Sequence, residues 1–261
     1  MNSLFSKIKR FYYWNYTRYA SESNVLIYQM GKVGSTSLEK AIEESLHFHT
    51  LYVDNYPCKT RLKGLYGVGL KGEFKKLSMR LGYFLRRRAI KSRRHIKVIT
   101  LVRAPLERNI SMFFQDIDAY LFSAYSRIDG SEPLSTREHS TSVLADIFNA
   151  RFEHSYPLNW FDREFKRFFG INVYDYTFDK EKGVGVWNRE NVSIICFELS
   201  KLHENKALLE SFLGKQVNLE RSNDGDNKWY SEAYKTFKSN YLPSNDIKEL
   251  MASSKFSKYF Y

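Results

Sequence analysis

The sequence predicts an α/β fold, a single domain with a mostly parallel central sheet flanked by helices. Three observations carry that expectation. Short apolar runs of the kind that form buried parallel strands recur at residues 25–28, 98–102 and 193–197. Stretches with helical spacing of apolar residues alternate with them. Two of the runs also pass through a short loop straight into a helix start, the connection that a parallel sheet requires.

Taken in order, residues 1–23 mix Lys7, Lys9, Arg10 and Arg18 with Phe5, Phe11, Tyr12, Tyr13 and Trp14 and precede any strand. They are expected to form a docking helix, either packed on the domain or resting on a membrane surface; residues 24–261 then make up the domain. The first strand, 25–28, runs into a Gly-containing turn. Leu38, Ile42 and Leu46 recur four residues apart, so 36–46 reads as a helix, and 47–53 alternates like a second strand. From Lys71 to Lys97 the chain is dense in Lys and Arg, with Glu73 its only acid. Phe74, Leu77, Leu81 and Phe84 recur there at spacings of three and four, which predicts an amphipathic helix with a basic outer face. The strand at 98–102 ends before Arg103, and Pro105 opens a helix running toward Phe122. Residues 130–142, rich in Ser, Thr, Glu and Pro, read as a loop or lid. Helices are expected at 142–152 and 159–169, a late strand at 193–197, and a helical C-terminal part broken by a loop at 222–226.

Composition bounds the function. With 261 residues and 43% hydrophobic content the chain can bury one substantial core. No apolar stretch approaches the roughly 20 residues needed to span a bilayer, and the start of the chain lacks the apolar centre of a signal peptide. A cytoplasmic location is expected, with peripheral contact at the inner membrane as an extension of it. The net charge of +12 calls for anionic partners. An aromatic content of 16% would suit base stacking, yet no ribonucleoprotein, helix-turn-helix or zinc-finger signature is present, so nucleic acid is not expected. Cys58 and Cys196 lie far apart without a CxxC pair, which argues against a disulfide framework and against a metal site.

Two loops carry the chemistry. Gln29-Met30-Gly31-Lys32-Val33-Gly34-Ser35-Thr36-Ser37 lies between a buried strand and a helix start, where backbone amides and three hydroxyls converge on an anion. Gly31 and Gly34 permit close backbone approach, Val33 lies between them, and Lys32 can reach the bridging oxygen of an anhydride. A capped strand-to-helix turn would use many of the same residues. A nucleotide P-loop places its lysine after the last glycine, whereas Lys32 precedes Gly34. In the second loop Arg103 leaves a buried strand and Ser111 arrives on the second turn of the following helix; a guanidinium fork and a hydroxyl could hold one phosphate. Arg108, three residues before Ser111, could approach the same site or pair with Glu107.

Together the loops resemble the two cofactor motifs of sulfotransferases that use 3'-phosphoadenosine 5'-phosphosulfate (PAPS). The resemblance implies a P-loop-like sulfotransferase architecture, with Lys32, Gly34, Ser35, Thr36 and Ser37 on the 5'-phosphosulfate and Arg103 with Ser111 on the 3'-phosphate, without metal. Gly31 and Ala104 depart from the proline and aspartate common in that family. Asn227-Lys228-Trp229-Tyr230-Ser231 and Tyr156-Pro157-Leu158-Asn159-Trp160-Phe161-Asp162 further resemble the capsular polysaccharide synthesis group of bacterial sulfotransferase-like proteins. That resemblance implies a glycan hydroxyl as acceptor and makes Arg221, Lys228 and Trp229 candidates for cofactor contact, with Trp229 and Tyr230 as core aromatics the competing reading.

Sulfuryl transfer needs in-line positioning, charge neutralisation on the leaving phosphate, and a base for the acceptor hydroxyl. His49 is the expected base, since it lies further toward the carboxyl end of its strand than His47. His154, Asp116, Asp118 and Glu164 compete for the role. A nucleotide-dependent kinase and a non-catalytic anion-binding scaffold in capsule assembly remain the alternatives.

Overall fold

Five strands form one sheet in the spatial order β2-β1-β3-β5-β4. They are β1 (Leu26–Tyr28), β2 (Leu46–Phe48), β3 (Ile96–Val102), β4 (Val184–Arg189) and β5 (Val192–Glu198). All neighbours pair in parallel except β4, which lies antiparallel on the β5 edge. The computed structural model describes residues 4–21, 25–55, 70–125, 141–220 and 228–261. In chain order its helices are α1 (Leu4–Tyr12), extended by a wide turn at Tyr13–Thr17 and a last turn at Arg18–Ala20, α2 (Ser35–Ala41), α3 (Leu70–Lys91), α4 (Pro105–Gln115), α5 (Ile117–Tyr125), α6 (Thr141–Arg151), α7 (Tyr156–Phe161), which continues through Asp162–Lys166 to Arg167–Phe169, α8 (Lys206–Leu213), α9 (Ser231–Asn240), α10 (Asn245–Ser253) and α11 (Lys255–Phe260).

The central strands are apolar on both faces because helices cover both sides of a parallel sheet. Leu26, Ile27 and Tyr28 of β1, and Val98, Ile99, Leu101 and Val102 of β3, are wholly buried. Tyr28 donates its hydroxyl to the Glu164 carboxylate, which also accepts from Thr50 Oγ1 at 2.6 Å and from the Leu51 amide at 3.0 Å. Three donors on one buried carboxylate make it tolerable inside the core and tie α7 to the end of β2. A second apolar cluster, around Phe113, Phe148 and Phe237, joins α4, α6 and α9 away from the sheet.

Several elements differ from the expectation. α2 ends at Ala41 and not at residue 46, because Leu46 is taken into β2 opposite Leu26. β2 stops at Phe48, leaving His49 one residue past its end, since Thr50 Oγ1 captures the Tyr52 amide and turns the chain. The helix opened by Pro105 breaks at Asp116 and restarts as α5. The apolar stripe expected inside on α3 faces outward: Leu81 and Phe84 are half-exposed, Phe74 and Leu77 more so. β4 is an unexpected strand, formed by Val184 and Trp187 packing inward beside β5. The loop expected at 130–142 falls, up to residue 140, outside the described residues, as does the loop at 222–226.

Candidate functional site

The order β2-β1-β3 places a switch point at β1 and β3: the chain leaves β1 for β2 on one side, then crosses to β3 on the other. Ligands of open α/β sheets bind in the crevice at the carboxyl ends of such strands. Both candidate loops open there, 29–34 after β1 and 103–104 after β3.

The first loop is shaped by two left-handed residues, Lys32 (φ 71°) and Gly34 (φ 89°). Gly34 is needed twice over. Its φ disfavours any side chain, and a Cβ there would come within 2.3 Å of Leu199 Cδ1. Gly31 is under no such constraint: its φ is not positive, and a Cβ would touch the His49 ring only at 3.8 Å. The strained residue is Lys32 itself, held in a conformation that costs a non-glycine roughly 1–2 kcal/mol. Val33 is buried and anchors the loop in the core.

Beneath the loop lies Arg108, which sequence reasoning left undecided. It is fully buried, donates from Nε to the Gly31 carbonyl at 3.0 Å and from Nη1 to Asn109 Oδ1 at 3.0 Å, and stacks over the Tyr156 ring at 4.7 Å. Asn109 in turn donates to the His154 carbonyl at 3.0 Å. Among the described residues Arg108 Nη2 has no hydrogen-bond partner, nor do the two polar atoms of the buried Gln29 side chain. Burial pulls the Arg108 guanidinium down to about 10, so it keeps its charge at neutral pH.

Arg103 comes to the loop from above. It donates from Nη1 to the Lys32 carbonyl at 3.4 Å and pairs with Glu107 at 3.2 Å, and Glu107 also lies 3.7 Å from Lys238 on α9. Lys228, just before α9, completes the set. The Lys32 ammonium is pushed down to about 8 by burial first, then by the charges of Lys228, Arg103 and Arg108, with Asp116 partly opposing them. Four cations from three separate stretches of chain thus bear on one point, and that mutual repulsion is relieved by an anion. Ser35, Thr36 and Ser37 are half-buried on the first turn of α2 and make no side-chain hydrogen bond among the described residues. α2 has seven residues, so its dipole adds little; the positive potential comes from side chains.

Ser111 is half-buried on the face of α4 that carries Arg108, and its hydroxyl makes no hydrogen bond among the described residues. Trp229 is 77% exposed with its ring edge-on to Tyr230 at 5.5 Å, which overturns the core-aromatic reading for Trp229. Tyr230 does pack inward, against Phe114 at 6.0 Å. Arg221 and Asn227 lie outside the described residues.

His49 sits under the loop. Its Nδ1 lies 3.0 Å from the Gln29 carbonyl and must donate to it, which leaves Nε2 as the acceptor nitrogen on the Gly31 side. Trp160 Nε1 fixes the backbone by donating to the His49 carbonyl at 3.0 Å. Burial, then the His47 ring packed edge-on at 4.4 Å, pushes the His49 imidazole down to about 4, so it is neutral and able to accept a proton at pH 7. His47 is also lowered to about 4 by burial, although its Nδ1 contacts Glu39. That contact alone would favour the imidazolium, but Glu39 is largely exposed and its charge is screened, so the burial of His47 dominates. Three of the other base candidates stand apart, whereas the buried Asp116 bears on Lys32 and Arg108 through its charge. His154 is buried with Nε2 on the Phe148 carbonyl at 3.0 Å; Glu164 is consumed by the Tyr28, Thr50 and Leu51 donors; Asp118 is exposed; Asp116 is buried at the end of α4.

Fold and site together define a mostly parallel α/β protein in which Lys32, Arg103, Arg108 and Lys228 gather at the carboxyl edge of β1 and β3, with the His49 imidazole held neutral beside them. The chain is similar over residues 137–261, slightly under half its length, to the family described as "NKWYS: Putative capsular polysaccharide synthesis protein". The match takes in Lys228 and α9 but neither the Lys32 loop nor Arg103. No curated protein and no solved structure matches.

Proposed function

We propose that the chain is a sulfotransferase that moves the sulfuryl group of PAPS to a glycan hydroxyl in capsular or surface polysaccharide synthesis. One observation carries the reading: Lys32, Arg103, Arg108 and Lys228 bear on the carboxyl edge of β1 and β3, with His49 Nε2 below. The donor set suits a nucleotide with two separate anionic groups. Lys32 and the hydroxyls of Ser35, Thr36 and Ser37 would hold the 5' end, Arg103 and Ser111 the 3'-phosphate, and the exposed Trp229 ring would cover the base.

In this reading the acceptor oxygen attacks sulfur while the bond from sulfur to the 5'-phosphate oxygen breaks. His49 Nε2 takes the acceptor proton, and Lys32 neutralises the charge that grows on the departing phosphate. The similarity of residues 137–261 to a polysaccharide-synthesis family supports a sugar as acceptor. The test is calorimetric titration with adenosine 3',5'-bisphosphate. Micromolar binding that does not need Mg²⁺ and is lost in Arg103→Ala is expected. No heat with that ligand, alongside binding of ATP with Mg²⁺, would replace this reading by a kinase.

A further inference from the structure

Helix α3 presents its apolar stripe to solvent. Phe74 is 71% and Leu77 62% exposed, and Leu81 and Phe84 follow on the same side, while the inward contacts of the helix come from Tyr83, Ala89 and Ile90. α1 behaves likewise. Leu4 is 74% and Phe5 73% exposed, Ile8 and Tyr12 are exposed with them, and no residue of α1 is buried. Single exposed leucines need no explanation, but two neighbouring helices that both turn large apolar side chains outward mark an interaction surface.

The two helices lie side by side and point the same way. Arg86 Nε donates to Asn15 Oδ1 at 2.9 Å and Arg93 donates to the Ser21 carbonyl, at sequence offsets of 71 and 72 residues. A Cβ on Gly82 would meet Asn15 Oδ1 at 2.8 Å and Phe11 at 3.6 Å, so the helices touch closely there. The same offset sets Leu4–Tyr12 beside the part of α3 that carries Phe74 to Phe84. Arg87 donates to the Leu51 carbonyl, three residues past the end of β2, so position 87 already lies at the carboxyl edge of the sheet. Because α3 runs back toward the start of β3, residues 74–84 project beyond that edge, on the side where the Lys32 loop opens.

The charge around this overhang is of one sign. Lys7, Lys9, Arg10, Lys75, Arg80 and Arg88 are exposed on the two helices, and the only acid in either is Glu73, paired with Lys76 at 2.7 Å. We infer that the α1–α3 overhang docks on an anionic lipid bilayer, with Phe74, Leu77 and Leu81 entering the interface and the Lys and Arg side chains meeting the headgroups. Charge selects this occupant. A second copy of a chain with net charge +12 would bring like charge to the face, and nucleic acid would leave the apolar stripe unused. None of the described helices is long and apolar enough to cross a membrane, so the helices would lie along the surface. The inference stands independently of the anion site.

Co-sedimentation of the full chain with vesicles tests it, using pure phosphatidylcholine against a mixture of about 30% phosphatidylglycerol, a content chosen to give a strongly negative surface. Binding is expected to the anionic vesicles only, to weaken as salt rises, and to fall about tenfold or more in the double variant L77D/L81D, whose side chains are exposed and whose thermal stability should be unchanged. Binding that ignores lipid charge, or that survives L77D/L81D, overturns the inference. So does concentration-dependent self-association of the free protein that the same variant abolishes, which would assign the face to a second copy. Titration of L77D/L81D with adenosine 3',5'-bisphosphate separates the two proposals, since loss of lipid binding should leave nucleotide binding intact.

Discussion

At the scale of single residues the site is an economy of protonation states. Lys32 is protonated at pH 7 but, with its free ammonium lowered to about 8, it loses charge in mild alkali. An anion favours the charged form, so the dissociation constant for adenosine 3',5'-bisphosphate should hold steady below about pH 8 and rise above it. Lys32→Met should bind more weakly and show no such rise; calorimetry across pH 6.5 to about 9.5 reads both. His49 has the opposite leaning. Its imidazole, near 6.5 when unfolded and about 4 when folded, stays neutral through the acid range. The acidic limb of turnover is therefore expected near pH 4 and not near 6.5, and His49→Asn should lower turnover about 10²- to 10⁴-fold with little change in nucleotide affinity. The same shift has a stability consequence whose sign is fixed: below 6.5 the unfolded chain takes up protons that the folded chain refuses, so stability is fully present above 6.5 and is lost as pH falls toward 4. Thermal melts should show that fall, and it should be shallower in His49→Asn. Lys32, His49 and Arg103 were legible because polar residues at the ends of apolar strands have few other reasons to be there. Arg108 was not, since nothing in its neighbours says that a guanidinium will be buried; its partners, the Gly31 carbonyl and the Tyr156 ring, come from distant stretches of chain.

At the scale of elements, the Lys32 loop is held from outside as much as from within. Gly34 sits against Leu199, at the end of β5, so the loop after β1 is shaped by a strand two places away in the sheet. Gly34→Ala combines left-handed strain of roughly 1–2 kcal/mol with an overpacking cost of about 1–3 kcal/mol. Denaturant melts should show a loss of about 2–5 kcal/mol, and G34A/L199A should lose less than the sum of the single changes because the clash is gone while the strain remains. The sequence carried β1, β3 and β5 clearly, as apolar runs buried on both faces must. The termination of β2 at Phe48 was hidden, because Thr50 stops it through a side chain-to-backbone bond that alternation cannot reveal. β4 was missed for a related reason: it is an edge strand with only Val184, Gly185 and Trp187 turned in, too short a pattern to stand out beside turn residues. The inverted face of α3 was unreadable in principle. Periodicity shows that a helix has an apolar stripe; it does not say whether protein or some other phase will cover it.

For the whole molecule, the crevice depends on a core that lies away from the sheet. Phe237 of α9 is fully buried against Phe113, Phe114 and Phe148, and it holds in place the helix that Lys228 precedes. Phe237→Ala should cost about 3–5 kcal/mol of stability. It should also weaken nucleotide binding at temperatures where the chain remains folded, which calorimetry below the melting transition would show; Leu250→Ala, on the neighbouring α10 and partly exposed, serves as the control. The parallel seating of α1 on α3 acts at the same scale. Antiparallel neighbours let their backbone dipoles cancel, whereas two helices pointing the same way add theirs, each placing about half a positive charge at its first turn. Here the described residues of both helices run the same way, from the overhang toward the start of the sheet, so their N-terminal ends lie at the same end of the pair. The overhang is therefore polarised by its backbone as well as by its lysines and arginines, and it carries a directional field, positive outward, that would orient the molecule before any side chain made contact.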